Sequence, residues 1–174
     1  MRKTILSFIL VSILCSGIYI TGQQVLRRSA NSPQEEIASQ IAAQLAGDKK
    51  IDKFMPNTSV DIATSPDTFI MLYNDNQEMT ISSTLLNGSA PRLPKDILNY
   101  AKDHTENKLT WEPVPGVRTA LIVKRIEGKN PGYVAVGRSL TGTERNTLYL
   151  GLLMLTIWLV SLPTLIFLYK RKKK

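Results

Sequence analysis

The stretch KLTWEPVPGVRTALIVKRIEGKNPGYVAVGRSL, residues 108–140, decides the fold class. In KLTWEPV, Leu109, Trp111 and Pro113 alternate with Lys108, Thr110 and Glu112, which is the two-residue period of a half-buried strand. Pro115-Gly116 then supplies tight-turn chemistry. VRTALIVKRIE is the longest β-candidate, GKNPG turns the chain again, and YVAVGRSL closes the set. Strands joined by turns this short pair with their neighbours, so the segment predicts an antiparallel meander.

Working outward, TFIMLY at 68–73 is rich in β-formers, NDN at 74–76 is turn chemistry, and QEMTISS returns as the second strand of a hairpin. RLPKDILNYAKDH reads as a helix beginning near Pro94, with Ile97, Leu98 and Ala101 on one side, and it separates the hairpin from the meander. Farther upstream, Ser32-Pro33-Gln34-Glu35 has the form of a helix start, with Ser32 as cap, Pro33 at the first helical position and Glu35 closing a capping box. Ile37, Ile41 and Leu45 follow at four-residue spacing, and Gly47 supplies a stop. The order strand, strand, helix, strand, strand, strand predicts an α+β domain: a five-stranded antiparallel sheet with an N-terminal helix and helices on one face.

The net charge of +8 raises the question of nucleic acid, and the positions of the charges answer it. Seven basic residues lie at the two tips: Arg2, Lys3, Lys170, Arg171, Lys172, Lys173 and Lys174. The remaining 15 basic residues face 14 acidic ones, so the middle lacks the basic surface that nucleic-acid binding needs. Each basic tip adjoins an apolar run. Ile5 to Ile20 carries no charge, and with Thr4 and Thr21 it spans roughly 27 Å as a helix, enough to cross hydrocarbon. A cleaved signal peptide has a shorter core and a small-residue cleavage site, neither of which is clear here, so an uncleaved anchor is expected.

TLYLGLLMLTIWLVSLPTLIFLY at 147–169 is also uncharged and long enough to cross, with Pro163 near its end and Tyr149 and Tyr169 at interfacial depth. Trp158 is mid-span, where lipid is the plainer neighbour and a partner helix the sharper one. With both tips basic, both ends are expected in the cytoplasm and the segment between them outside. The divisions are 1–3 tip, 4–21 first crossing, 23–146 extracytoplasmic domain, 147–169 second crossing and 170–174 basic tail. The KRKKK tail also attracts anionic lipid, by about 1 kcal/mol per charge near the surface.

No enzyme constellation stands out, and no catalytic, metal or cofactor-binding residue is expected. The single histidine, His104, cannot build a multi-histidine metal site, and the single cysteine, Cys15, lies in the first apolar run without a base or a disulfide partner. There is no P-loop and no glycine-rich dinucleotide motif after a strand. Asn57-Thr58-Ser59 and Asn87-Gly88-Ser89 match the glycosylation tripeptide, a pattern that arises readily by chance.

The order of elements, with TFIMLYNDNQEMTISS, TWEPVPGVRTALIVKRIEGKNPGYVAVGRSL and the direct run into an apolar helix, resembles the PAS-like or Cache-like extracytoplasmic sensor domains of bacterial sensor histidine kinases. The resemblance covers residues 23 to 169. It implies a pocket for a small ligand between the sheet and its covering loops, for which Tyr73, Trp111 and Tyr133 are nominated as aromatic walls and Arg118 as an anion-binding fork. For each of these the plainer role is core packing or, for Arg118, a solvated strand position. The resemblance also implies dimerisation. In such kinases the second membrane helix continues into a kinase domain, whereas this sequence stops at Lys174. The expectation is therefore a membrane protein that relays ligand or protein binding to a separate partner. The competing expectations are a non-signalling scaffold or assembly factor and a remnant of a sensor kinase.

Overall fold

The structure is a computed structural model and describes residues 2–49, 51, 54–55 and 58–171. Asn57 of the first glycosylation tripeptide and residues 172–174 of the basic tail lie outside the described residues. The chain divides into two compact units, one of residues 1–28 with 143–174 and the other of residues 29–142.

The second unit is the α+β domain. It contains the last part of helix α1 (Arg2–Ala46), then β1 (Val60–Asp61), β2 (Thr68–Asn74), β3 (Met79–Ser82), β4 (Thr84–Leu85), α2 (Lys95–His104), β5 (Glu106–Val114), β6 (Val117–Ile126) and β7 (Gly132–Ser139). The five longer strands form one antiparallel sheet in the order β3-β2-β7-β6-β5. The hairpin and the meander foreseen from the sequence are thus joined by pairing β2 with β7, from Thr68 opposite Arg138 to Asn74 opposite Gly132. The short parallel pair β1 and β4 was not legible in the sequence, since two residues carry no periodicity.

One expectation is corrected by the layers. Helices cover both faces of the sheet, not one. On the first face, Phe69, Met71, Tyr73, Leu121, Val123, Tyr133 and Ala135 pack against Leu98 and Ala101 of α2, with Leu93, Leu86, Val60 and Ile62 closing the layer. On the second, Ile70, Leu72, Ile122, Ile126, Val134 and Val136 pack against Ala38 and Ile41 of α1. The physical reason was present in the sequence: FIMLY, ALIV and YVAV do not alternate, because strands buried on both faces are apolar throughout. Only the edge strand β5 keeps its alternation, with Trp111 buried between exposed Thr110 and Glu112.

A second correction concerns α1. It does not begin at Ser32; it runs unbroken for 45 residues and holds Pro33 in its interior. An interior proline removes one backbone hydrogen bond and crowds the preceding turn, at about 3 kcal/mol. Gln34, Glu35 and Glu36, which follow it, are good helix formers, and burial of Ala38 and Ile41 against the sheet offsets that loss. The stop at Gly47 is as expected: its N–H donates to the carbonyls of Ala43 and Gln44 and satisfies the helix end.

Helix α2 forms where Ile97, Leu98 and Ala101 recur on one side, and Asp96 in its first turn with Lys102 in its last complements the helix dipole. Asn107 of β5 donates to the Ile97 carbonyl at 3.1 Å, tying α2 to the edge of the sheet. At the start of β2, Ser83 Oγ accepts from the Ile70 N–H at 2.8 Å and is 3.2 Å from the Ile70 carbonyl, which it reaches as donor. Gly137 lies beneath the Phe69 ring, and a Cβ there would run into the ring carbons.

The first unit consists of the N-terminal part of α1 together with α3 (Thr141–Arg171) from Thr143 onward. Ile5–Leu26 and Thr141–Arg171 are long and apolar enough to cross a membrane. Within this unit Trp158 has a helix neighbour, the sharper of the two readings weighed for it: its indole N–H donates to Ser12 Oγ at 2.8 Å, and its ring lies 5.3 Å from that of Phe8. An indole N–H in an apolar setting needs an acceptor, and Ser12 on the neighbouring helix supplies it. Gly22 and Leu150 pack equally closely, since a Cβ on Gly22 would come within 2.6 Å of Leu150 Cδ2.

Candidate functional site

The residues nominated from the sequence fall into two places. Tyr73 of β2 stands directly opposite Tyr133 of β7, both buried in the layer beneath α2. Trp111 belongs to the same layer, but it pairs with Thr119, which pairs with Ser139 at the far end of β7. Six residues of strand between Tyr133 and Ser139 correspond to about 20 Å. Arg118 is near the Trp111 end, its side chain 47% exposed and its Nε 3.9 Å from Glu112 Oε2. The fork and the tyrosines are therefore at opposite ends of the sheet.

What the fold does place beside the tyrosines is Arg125. In the β6–β7 register Arg125 is opposite Tyr133, which makes a row Tyr73, Tyr133, Arg125 across three adjacent strands. The guanidinium carbon sits 4.7 Å from the centre of the Tyr133 ring, a cation–π contact. Arg125 Nη2 forms an ion pair with Asp75 Oδ1 at 2.6 Å, and the Asp75 side chain is 55% exposed. Arg125 Nη1 and Tyr133 Oη are both buried and, among the described residues, have no hydrogen-bond partner. Such orphaned donors are rare in folded proteins, because each forfeits its hydration without recompense.

Tyr73 differs from its neighbour. Its hydroxyl accepts from the Leu93 N–H at 3.1 Å and lies 3.7 Å from Met71 Sδ. Burial pushes its phenol above the usual value, against the opposing effects of the Leu93 hydrogen bond and the positive charge of Arg92. The β2–β3 turn that carries Asp75 is held to α2 by Gln77 Nε2, which donates to Asn99 Oδ1 at 2.6 Å. Arg125 was absent from the sequence nominations although a signal existed. The two-residue period of VKRIE puts it in phase with Leu121 and Val123, and a charge in phase with core residues calls for a partner.

On the opposite face, α1 meets the sheet edge through charge. Lys108 Nζ is 2.7 Å from Glu35 Oε1 and 2.8 Å from Glu106 Oε1, and Lys124 Nζ is 2.7 Å from Glu106 Oε2. Lys124 also donates to Ser39 Oγ at 2.8 Å. The hydrogen bond from Lys108 is the main influence holding the Glu35 carboxyl below its ordinary value. Nearer the end of α1, Leu45, Leu72, Ile126, Thr80, Asp48 and Asn130 line a cleft of about 370 Å³.

Among the described residues no group of three or more histidine, cysteine, aspartate or glutamate side chains is placed to hold a metal ion. His104 is exposed at the end of α2 and stacks on Tyr100 with ring centres 4.1 Å apart. Comparison with protein-family models, with curated proteins and with solved structures finds no match, so the fold and its chemistry carry the functional argument alone.

Proposed function

We propose that this chain is a two-pass membrane protein whose domain senses a ligand or protein outside the cytoplasm and relays the event, through its two apolar helices, to a separate membrane partner. The observation that carries this reading is continuity. α1 is one helix from its apolar segment to the residues that cover the sheet, and β7, in the middle of the sheet, is followed within two residues by the apolar helix α3. Any rearrangement of the sheet layers therefore acts on elements that themselves enter the membrane. The hairpin, helix and meander also agree with the PAS-like or Cache-like layout suggested by the sequence, and the basic tips orient both ends toward the cytoplasm.

The test has two parts. Single cysteines placed at exposed domain positions in a Cys15→Ser background should react with a membrane-impermeant thiol reagent in intact cells, whereas shielding of the domain would overturn the topology. Gentle solubilisation should then co-purify a membrane partner, or a second copy, in defined ratio. A strictly solitary chain would defeat the relay, and a constant partner with no response to any ligand would favour a scaffold.

A further inference from the structure

Resting on the two-pass reading proposed above, we infer that the tip of the β5–β6 hairpin, Val114-Pro115-Gly116-Val117, seats in the lipid headgroup layer of the bilayer that α3 enters, held there by apolar contact. The turns of the five-stranded sheet are of two kinds. The β2–β3 turn carries Asp75 and Glu78, the β6–β7 turn carries Glu127 and Lys129, and both lie at the end of the sheet where Asn74 stands opposite Gly132. The β5–β6 turn lies at the other end, and Pro113 to Val117 carries no charge. That is also the end at which the chain enters and leaves the domain. β7 closes there at Ser139, opposite Thr119 and two residues before α3. α1 runs from that side toward the charged turns, since Glu35 reaches Lys108, the partner of Ile122, while Ala46 lies against Gly128.

The lengths agree with this. Beyond the Thr119–Ser139 pair the hairpin projects as far as Pro115, about 13 Å of strand. α3 is helical from Thr141, and its uncharged run begins at Thr147, about 9 Å along it. A headgroup layer adds roughly 5–7 Å on each side of the hydrocarbon, so its outer surface falls within a few ångströms of Thr141, inside the reach of the tip. Pro115 and Gly116 are exposed, and a Cβ on Gly116 would meet nothing within 4 Å. Val114 stands opposite Val117, and both are half-buried against the core, which holds the tip in shape and leaves little entropy to lose on contact. The Gly116 N–H donates to Glu112 Oε1 at 2.8 Å, so the turn enters a poorly hydrated layer with this donor satisfied. Just behind the tip Arg118 Nε is 3.9 Å from Glu112 Oε2, and these opposed charges leave no dependence on anionic lipid.

The experiment uses the full chain in nanodiscs of phosphatidylcholine, alone and with added phosphatidylglycerol. In a Cys15→Ser background, one nitroxide spin label is attached at Pro115→Cys or at Lys129→Cys, which is exposed at the opposite end of the sheet. The Pro115→Cys label should collide with an aqueous nickel chelate several-fold less often than the Lys129→Cys label, to the same degree in both lipids. A second reading leaves the chain unaltered: lipids spin-labelled on the headgroup should broaden the backbone amide resonances of Gly116 and Val117 and spare those of Gly128 and Lys129. Where the two readings differ, the unaltered chain decides, because Pro115→Cys changes the turn itself. Equal collision rates for the two labels with no broadening at Gly116 and Val117, or contact only when phosphatidylglycerol is present, overturns the inference. A chain that does not enter nanodiscs would defeat the two-pass reading and the inference with it, whereas a tip in water leaves that reading and the relay standing.

Discussion

Ile41→Ala tests the packing that joins α1 to the sheet. Ile41 is fully buried, in the layer formed with Ile70, Ile122, Val134 and Val136. The substitution removes three carbons, worth about 2.4 kcal/mol of transfer at roughly 0.8 kcal/mol per methylene. The sheet beneath cannot collapse into the vacated space, because it is held by strand pairing and by the α2 layer on its other side, so a cavity contribution adds to this. The expected loss is about 3 kcal/mol, within the range for such core truncations and a large part of the stability of a typical domain.

Amide hydrogen exchange on the full chain in detergent micelles reads the effect without requiring the apolar helices to unfold. The slowest amides of β6 and β7 should exchange about a hundredfold faster, and Gln40→Ala, at an exposed position one residue away, should change them little. If Ile41→Ala accelerates exchange less than about fivefold, roughly 1 kcal/mol, α1 does not cover the sheet as described and the continuity argument fails with it.

Three further outcomes follow from single contacts. Gly137→Val drives a branched side chain into the Phe69 ring and should destabilise the domain by about 1–3 kcal/mol or abolish folded expression, measured by thermal unfolding of the full chain. Ser12→Ala leaves the Trp158 indole N–H without its acceptor and should weaken association of the two apolar helices by about 0.5–1.5 kcal/mol, read by steric trapping in bilayers; no change would mean that the bond contributes nothing. Glu35 has a folded-state pKa depressed below its ordinary 4.5, chiefly by its hydrogen bond from Lys108, so its contribution is present above that value and lost as pH falls through the folded-state pKa. Glu35→Gln should therefore reduce the acid sensitivity of Tm below about pH 4.5, and unchanged acid sensitivity would remove the ion pair from the account.

The two candidate regions of the domain differ in kind. The charged contacts among Glu35, Lys108, Glu106 and Lys124 are satisfied by one another and partly solvated, so they position α1 without demanding a ligand. In the Arg125–Tyr133 pair, by contrast, Arg125 Nη1 and Tyr133 Oη are buried and have no hydrogen-bond partner among the described residues.

The local pattern of the chain determined the elements. Turn residues at Pro115-Gly116 and around Asn130-Pro131-Gly132 bounded β6 and β7, the spacing of Ile97, Leu98 and Ala101 placed α2, and unbroken apolar runs marked the two long helices. These features depend on residues within a few positions of one another, and local sterics and periodicity decide them. Which strands meet was decided only by the tertiary structure. The β2–β7 pairing joins residues some sixty positions apart and puts Tyr73 beside Tyr133, while the β6–β7 register adds Arg125 and leaves Arg118 and Trp111 at the far end. Burial of α1 against one face of the sheet likewise overrode the local helix-start signal at Ser32-Pro33, because the apolar surface that Ile41 and Ala38 cover belongs to strands distant in sequence. A candidate site made of one residue from each of three strands has no local signature: its chemistry exists only once register and layering have brought the orphaned donors together.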